Sequence, residues 1–155
     1  TADKLLQLLG RRIDSLKKLC DISITSVLPH KFKERFKEYI NLENKDNKAM
    51  AEDMITLANI MYNNTIARID AKYGITDHEK TFCACVILDF SKEEIRVLFN
   101  HTNIASIYNT RCKIRDKFGM KGSTSDLLKY IIAMRDNPEI ADDNQLSISE
   151  LDTKG

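Results

Sequence analysis

The chain has 155 residues, of which 43% are hydrophobic and 30% are charged, which is ordinary for a folded globular protein. Its formal net charge of +1 excludes a protein that coats nucleic acid through bulk charge, so any nucleic-acid contact must come from a local cluster of cations. The four cysteines are not spaced as a disulfide framework, and the sequence holds no signal peptide and no apolar run of about 18 residues. We therefore expect a cytoplasmic location and no membrane segment.

The chain starts with Thr1 and not with Met, which leads us to expect one part of a longer protein. A sensor or a membrane span of that longer protein would lie before Thr1. The longer protein can therefore be anchored in a membrane, with this part on the cytoplasmic side.

Apolar residues recur at spacings of three and four throughout, and only two prolines and five glycines interrupt them, which predicts an all-α fold. Leu5, Leu9, Ile13, Leu16 and Cys20 form the first stripe. A second helix is predicted after Pro29, followed by one long helix from 48 to 73 with a broad apolar face. We predict that residues 1–73 are a coiled-coil-like oligomerisation or linker segment that forms a homodimer.

The second half of the chain has clear helix start and stop signals. Thr76 with Glu79, and Ser91 with Glu94, have the spacing of capping boxes. Together with the two glycines that follow helical segments, these signals predict helices at about 77–88, 92–100 and 105–118, and a last one at about 123–134. Residues 136–155 are acidic and thin in large apolar residues, so we expect a loose tail.

The predicted helix at 105–118 is apolar on one side and basic on the other. Ile107, Ile114 and Phe118 form one stripe, and Lys113 and Arg115 stand among the cations beside it. A helix of this kind can dock its apolar side on its own domain while its cations meet phosphates, as a major-groove reader does. The alternative is a solvated amphipathic helix with a charged outer side.

Residues 75–120 resemble the LuxR/GerE-type DNA-binding domain, a four-helix form of helix-turn-helix. The resemblance rests on Ile75-Thr76 with Glu79, on the run from Asp89 to Ile95, where the family has Gly-Phe-Ser-x-x-Glu-Ile, and on Lys117-Phe118-Gly119-Met120. The sequence of this segment is similar to that of Bacteroidetes regulators that carry a tetratricopeptide sensor upstream. It implies that residues 74–135 are the DNA-binding output of a bacterial transcription regulator, with double-stranded DNA as the partner.

The resemblance makes the predicted helix at 105–118 the recognition helix. On its outward side Asn109 is the best candidate to contact a base, because its amide can make two hydrogen bonds to an adenine edge. The base-contact candidates are Tyr108, Asn109 and Cys112. The phosphate-contact candidates are Ser106, Lys113, Arg115, Lys117 and Lys121. Asp89 and Arg96 replace small residues of the family, and the turn between Phe99 and Ser106 is about one residue longer than the pattern.

Arg111 falls inside the apolar stripe, where an unpaired charge is costly. We therefore predict a structural ion pair with Glu79 or Glu94, both early in neighbouring helices. Direct contact with DNA is the alternative role for Arg111.

No catalytic, metal or cofactor site can be assembled from the sequence, and no small-molecule substrate is expected. Cys83 and Cys85 form a Cys-x-Cys pair without a second pair at ligand spacing, so we interpret them as small buried hydrophobes. His30, His78 and His101 have no nucleophile, base or ligand nearby in sequence. The remaining rival is a protein-interaction or scaffolding module that has the helix-turn-helix shape and does not bind DNA; the near-neutral charge and Asp116 favour it.

Overall fold

The computed structural model describes residues 2–25, 36–42, 44–99, 104–122 and 124–137. These ranges contain no β-strand, and the all-α prediction is confirmed. The α-helices are α1 (Ala2–Thr25), α2 (Lys48–Met61), α3 (Thr65–Tyr73), α4 (Asp77–Ile87), α5 (Lys92–Leu98), α6 (Ile104–Lys117) and α7 (Thr124–Asp136). Residues 36–40 are also helical, and a short 3-10 turn, Lys45–Asn47, precedes α2.

Both predicted capping boxes are present and set the starts of α4 and α5. The Thr76 hydroxyl accepts from the Glu79 N–H at 3.2 Å, and Glu79 Oε1 accepts from the Thr76 N–H at 2.9 Å. Ser91 and Glu94 make the same two bonds at 3.1 and 2.8 Å. Each box satisfies backbone donors that the first helical turn leaves without a partner, which is why these helices begin where the sequence predicts.

The prediction of one long helix at 48–73 is wrong, because the helix is interrupted between α2 and α3. Asn63 and Asn64 have φ values of 54° and 56°, a left-handed conformation that asparagine tolerates better than most residues. Asn59 Oδ1 accepts from the backbone N–H groups of Ile66 and Ala67, at 3.0 and 3.2 Å. The new helix start is therefore capped by a side chain from the helix before it.

The N-terminal helices share one hydrophobic core with the helices that follow. Leu9, Ile13, Leu16 and Cys20 of α1 are all buried. They belong to the same cluster as the buried residues of α4 to α7, with α1 packed on α2 and α5, and α2 packed on α4. The boundary predicted at Tyr73 therefore does not separate two cores, and α1 is not an isolated coiled-coil helix.

The turn between α4 and α5 is held from both sides. Lys17 of α1 donates from Nζ to the Leu88 carbonyl at 2.7 Å and lies 4.9 Å from the Phe90 ring centroid. Asp89 stands where the LuxR/GerE pattern has Gly and adopts a φ of 63°. Arg135 of α7 donates to Asp89 Oδ1 at 2.8 Å, so an ion pair accompanies the strained backbone at this position.

Arg96, which replaces a small residue of the family pattern, has an exposed side chain on α5. Several predicted features lie outside the described residues: the second helix before residue 36, the lengthened turn at 100–103, and the acidic tail from 138 onward. Within the part of the chain that the structure describes, none of the helices combines the length and the apolar character needed to cross a membrane.

Two glycines in different backbone environments should respond in opposite ways to the same substitution. A Cβ at Gly10, inside α1, would meet nothing within 4 Å, so Gly10→Ala should raise the free energy of unfolding by about 0.5–1 kcal/mol. Gly74 has a φ of 66°, so Gly74→Ala should lower it by about 1–2 kcal/mol. Urea unfolding measures both. A destabilised Gly10→Ala variant would contradict a continuous α1.

Candidate nucleic-acid interface

The apolar side of α6 faces the core, as its sequence stripe predicts. Ile114 is fully buried and Phe118 is nearly so. Thr110 is also buried on this side, which the sequence analysis missed, although its position one turn before Ile114 points to it. The side chain of Ile107 lies outside the described residues.

Aromatic contacts fix the C-terminal end of α6. The Phe118 ring lies 4.3 Å from the Tyr73 ring and 5.7 Å from the Tyr130 ring, measured between centroids. The two tyrosine hydroxyl oxygens are 3.0 Å apart and share a hydrogen bond. The end of α6 is thus held between α3 and α7.

A polar contact fixes the middle of α6. His78 Nε2 of α4 is 3.2 Å from the Thr110 hydroxyl, and the His78 ring lies edge-on to Phe99 at 5.2 Å. Sequence reasoning set His78 aside because no partner lies near it in the chain. With both contacts in place, α6 has little freedom to rotate about its own axis.

The outward side of α6 carries the residues that were predicted to read DNA. Tyr108 is 52% exposed, Asn109 and Lys113 are exposed, and Cys112 is half-buried. Asp116 is exposed on the same side. The structure therefore brings the three base-contact candidates to one face, while the side chain of Ser106 lies outside the described residues.

Lys117 takes the partner that was predicted for Arg111. Lys117 Nζ forms an ion pair with Glu79 Oε1, and Glu79 itself is only 3% exposed. Burial alone would raise the pKa of Glu79, but the hydrogen bonds from Lys117 and from the Thr76 N–H outweigh it, and the pKa lies below its ordinary value. Lys117 thus joins α6 to α4 through a buried carboxylate, so its charge is already compensated within the chain.

The predicted ion pair of Arg111 with Glu79 or Glu94 is wrong. Among the described residues no ion pair includes Arg111, and its buried Nε has no hydrogen-bond partner. Glu94 Oε1 accepts instead from the Ser91 N–H. Burial lowers the pKa of the Arg111 guanidinium, because no carboxylate offsets the loss of water. Arg111 is therefore a half-buried cation with no counter-charge among the described residues.

The other predicted phosphate contacts divide into two groups. Arg115 pairs with Asp116 at 3.5 Å and approaches the Gly122 carbonyl at 3.4 Å, so it braces the connection between α6 and α7. Lys113 and Lys121 are exposed, and no ion pair of the described residues includes them. The uncompensated positive charge of this region therefore resides on Arg111, Lys113 and Lys121.

Three of the four cysteines are buried in the hydrophobic core. Cys20, Cys83 and Cys85 are fully buried, and burial raises the pKa of the Cys83 thiol to about 12. This packing agrees with their interpretation as small buried hydrophobes. The described residues contain no group of three His, Cys, Asp or Glu side chains arranged to hold a metal ion.

Comparisons with protein-family models, with curated proteins and with solved structures give no significant match to this chain. The resemblance to the LuxR/GerE domain therefore rests on the motif residues alone and stays a prediction.

The two cations of α6 should contribute differently to stability. Lys117→Ala leaves the buried Glu79 carboxylate uncompensated, so the free energy of unfolding should fall by about 1–3 kcal/mol. Arg111→Ala removes a charge that has no partner, so the change should be below about 1 kcal/mol. Chemical unfolding at neutral pH measures both. An Arg111→Ala variant as unstable as Lys117→Ala would restore the ion pair that the sequence predicts.

The lowered pKa of Glu79 predicts a pH dependence of stability. Because Glu79 has a lower pKa in the folded chain than in the unfolded chain, its contribution is complete above the ordinary glutamate pKa of about 4.3. The contribution is lost as the pH falls through the folded value. The stability difference between the parent and Glu79→Gln should therefore shrink between about pH 7 and about pH 3. A pH-independent difference would contradict the ion pair.

Proposed function

We propose that this chain is a DNA-binding transcription regulator, the cytoplasmic output part of a larger bacterial signal-responsive protein, with α6 as its recognition helix. The observation that carries the proposal is Arg111. This guanidinium is half-buried, has no counter-charge among the described residues, and belongs to the same helix as the exposed Asn109 and Lys113.

A partly desolvated cation gains more from an added anion than a fully hydrated one does. A phosphate accepts bidentate hydrogen bonds from guanidinium and would supply the acceptor that Arg111 Nε lacks. Lys113 and Lys121 add two exposed charges to the same region. This local cluster reconciles DNA binding with a net charge of only +1.

Sequence preference would come from the exposed side chains between these cations. Asn109 can bond the N6 and N7 atoms of adenine, and Tyr108 can reach a base edge or a phosphate. Cys112 is half-buried on the same face and offers a small apolar contact. The contacts of α6 with α3, α4 and α7 support this role, because a rigid helix presents its side chains in a fixed register.

A homodimer completes the proposal. Two-fold symmetry would place two recognition helices about 34 Å apart, one turn of the DNA duplex. The LuxR-type arrangement of α4 to α7 belongs to this proposal as well, supported by the two capping boxes and by the inward positions of Ile114 and Phe118.

The second candidate function is a protein-interaction module. Asp116 favours it, because this carboxylate is exposed in the centre of the outward face and would lie close to DNA phosphates. Arg115 lies 3.5 Å from Asp116, which reduces that repulsion. The two functions differ in whether binding depends on salt and on nucleic acid.

Replacing the uncompensated cations should weaken DNA binding without regard to sequence. Arg111→Ala and Lys113→Ala should each lower affinity for random and selected duplexes alike and reduce the slope of log affinity against log salt by about one. Lys48→Ala, at an exposed lysine of α2, is the matched control and should change neither. Fluorescence anisotropy at several salt concentrations gives affinities and slopes.

Replacing Asn109 should affect specificity. Asn109→Ala should cost about 1–3 kcal/mol on a site selected from a random pool, leave binding to random duplex nearly unchanged, and relax the preference at one base pair. Competition between selected and random duplexes measures the difference. If the parent chain enriches no sequence and shows no salt-dependent binding, DNA binding is refuted and the protein-interaction function stands.

A further inference from the structure

The first helix carries two apolar lines, and only one of them faces the core. Leu9, Ile13, Leu16 and Cys20 form the inner line and are buried against α2 and α5. Four of the five residues of the first predicted stripe are therefore already covered within the chain, and only Leu5 is exposed. The outer line follows the alternating spacing of three and four that brings two helices together in a coiled coil. Its members are Leu5, Leu8, Arg12, Ser15, Leu19 and Ile22.

The outer line is exposed where it is most apolar. Leu5 is 50% exposed, Leu8 is 57% exposed and Ile22 is 46% exposed. Only seven large apolar side chains are exposed in the described part of the chain, and these three lie on one helical line. An alignment of this kind marks a docking surface more often than single exposed leucines do.

The middle of the outer line is a groove, not an interruption. Arg12 forms an ion pair with Asp53 of α2, so its charge is compensated within the chain. Beside it, a groove of about 280 Å³ is walled by Leu8, Leu19 and Met50, with the small Ser15 at its edge. A knob from a second helix fits a hole of this kind.

Helix α2 widens the apolar surface at the start of α1. Arg12 faces Asp53, and Leu19 shares the groove with Met50, so α1 and α2 run antiparallel. Residues about two helical turns apart lie on the same side of a helix. Leu5 is two turns before Arg12 on α1, and Ile60 is two turns after Asp53 on α2; each is 50% exposed.

We propose that the outer line of α1 is the homodimer seam and that it pairs in parallel with the outer line of a second copy. The inference deepens the homodimer proposed above and rests on it. A heptad line is complementary to another heptad line, and a second copy supplies one of equal length. The half-exposed Leu5, Leu8 and Ile22 of α1, together with the half-exposed Ile60 of α2, would form the apolar centre of an interface, and a standard interface buries about 800 Å² per partner.

The flanking charges decide the direction of the pairing. Lys4, Arg11 and Lys18 line one edge of the seam, and no acidic residue stands among them. An antiparallel pair would bring Arg11 of one copy next to Lys18 of the other, which like charges oppose. In a parallel pair the cations of one copy do not face those of the other, which avoids that repulsion.

The oligomeric state tests the seam without DNA. Analytical ultracentrifugation of the parent over a concentration series should show a monomer–dimer equilibrium. Leu8→Ser with Ile22→Ser should raise the dissociation constant by at least about tenfold. Tyr39→Ser, at an exposed aromatic outside α1, is the matched control and should leave the constant unchanged. Circular dichroism of each variant establishes that the chain is folded.

Cross-linking tests the direction in a Cys112→Ser background, where the three remaining cysteines are buried. Leu8→Cys should form a disulfide-linked dimer on mild oxidation, and Gln7→Cys, on the other side of α1, should not. A monomer at every concentration, equal linking at both positions, or linking only when Leu8→Cys is mixed with Leu19→Cys would overturn the proposal. Salt-dependent DNA binding by a monomeric chain would overturn the seam and leave DNA binding intact.

Discussion

Glu79 connects the start of one helix to the end of another, and the exposed face of α6 depends on that connection. Its carboxylate accepts from the Thr76 N–H, which begins α4, and pairs with Lys117 at the end of α6. A carboxylate that is 3% exposed requires such partners, because burial without them is costly. The Phe118 ring, next to Lys117 in the chain, packs between α3 and α7 and fixes the same helix end.

The choice of Lys117 as the partner of Glu79 also distributes the remaining charge. Because Glu79 pairs with Lys117, Arg111 is left half-buried with no counter-charge in the part of the chain that the structure describes. Arg115 forms an ion pair with Asp116, and Lys113 is exposed at the surface. The pattern of paired and unpaired cations, more than their number, therefore sets the local charge around α6.

The first helix shows how one amphipathic sequence can serve two surfaces. Its inner line contributes to the common core with α2 and α5, and its outer line leaves three large apolar side chains exposed. The ion pair between Arg12 and Asp53 lies where the two surfaces meet and holds α1 against α2. A helix that is apolar over so wide an arc would be poorly covered in isolation, and the core covers its inner line.

The sequence by itself determined the all-α class, the starts of α4 and α5, and the inward direction of Ile114 and Phe118. These features depend on contacts within one or two helical turns, so local spacing is sufficient to predict them. Only the tertiary structure decided that Glu79 pairs with Lys117, 38 residues away, and not with Arg111. It also decided that α1 joins the common core and that the chain breaks before α3, where Asn59 caps the next helix. Each of these outcomes is a choice among partners from different elements, and spacing along one helix does not rank such partners.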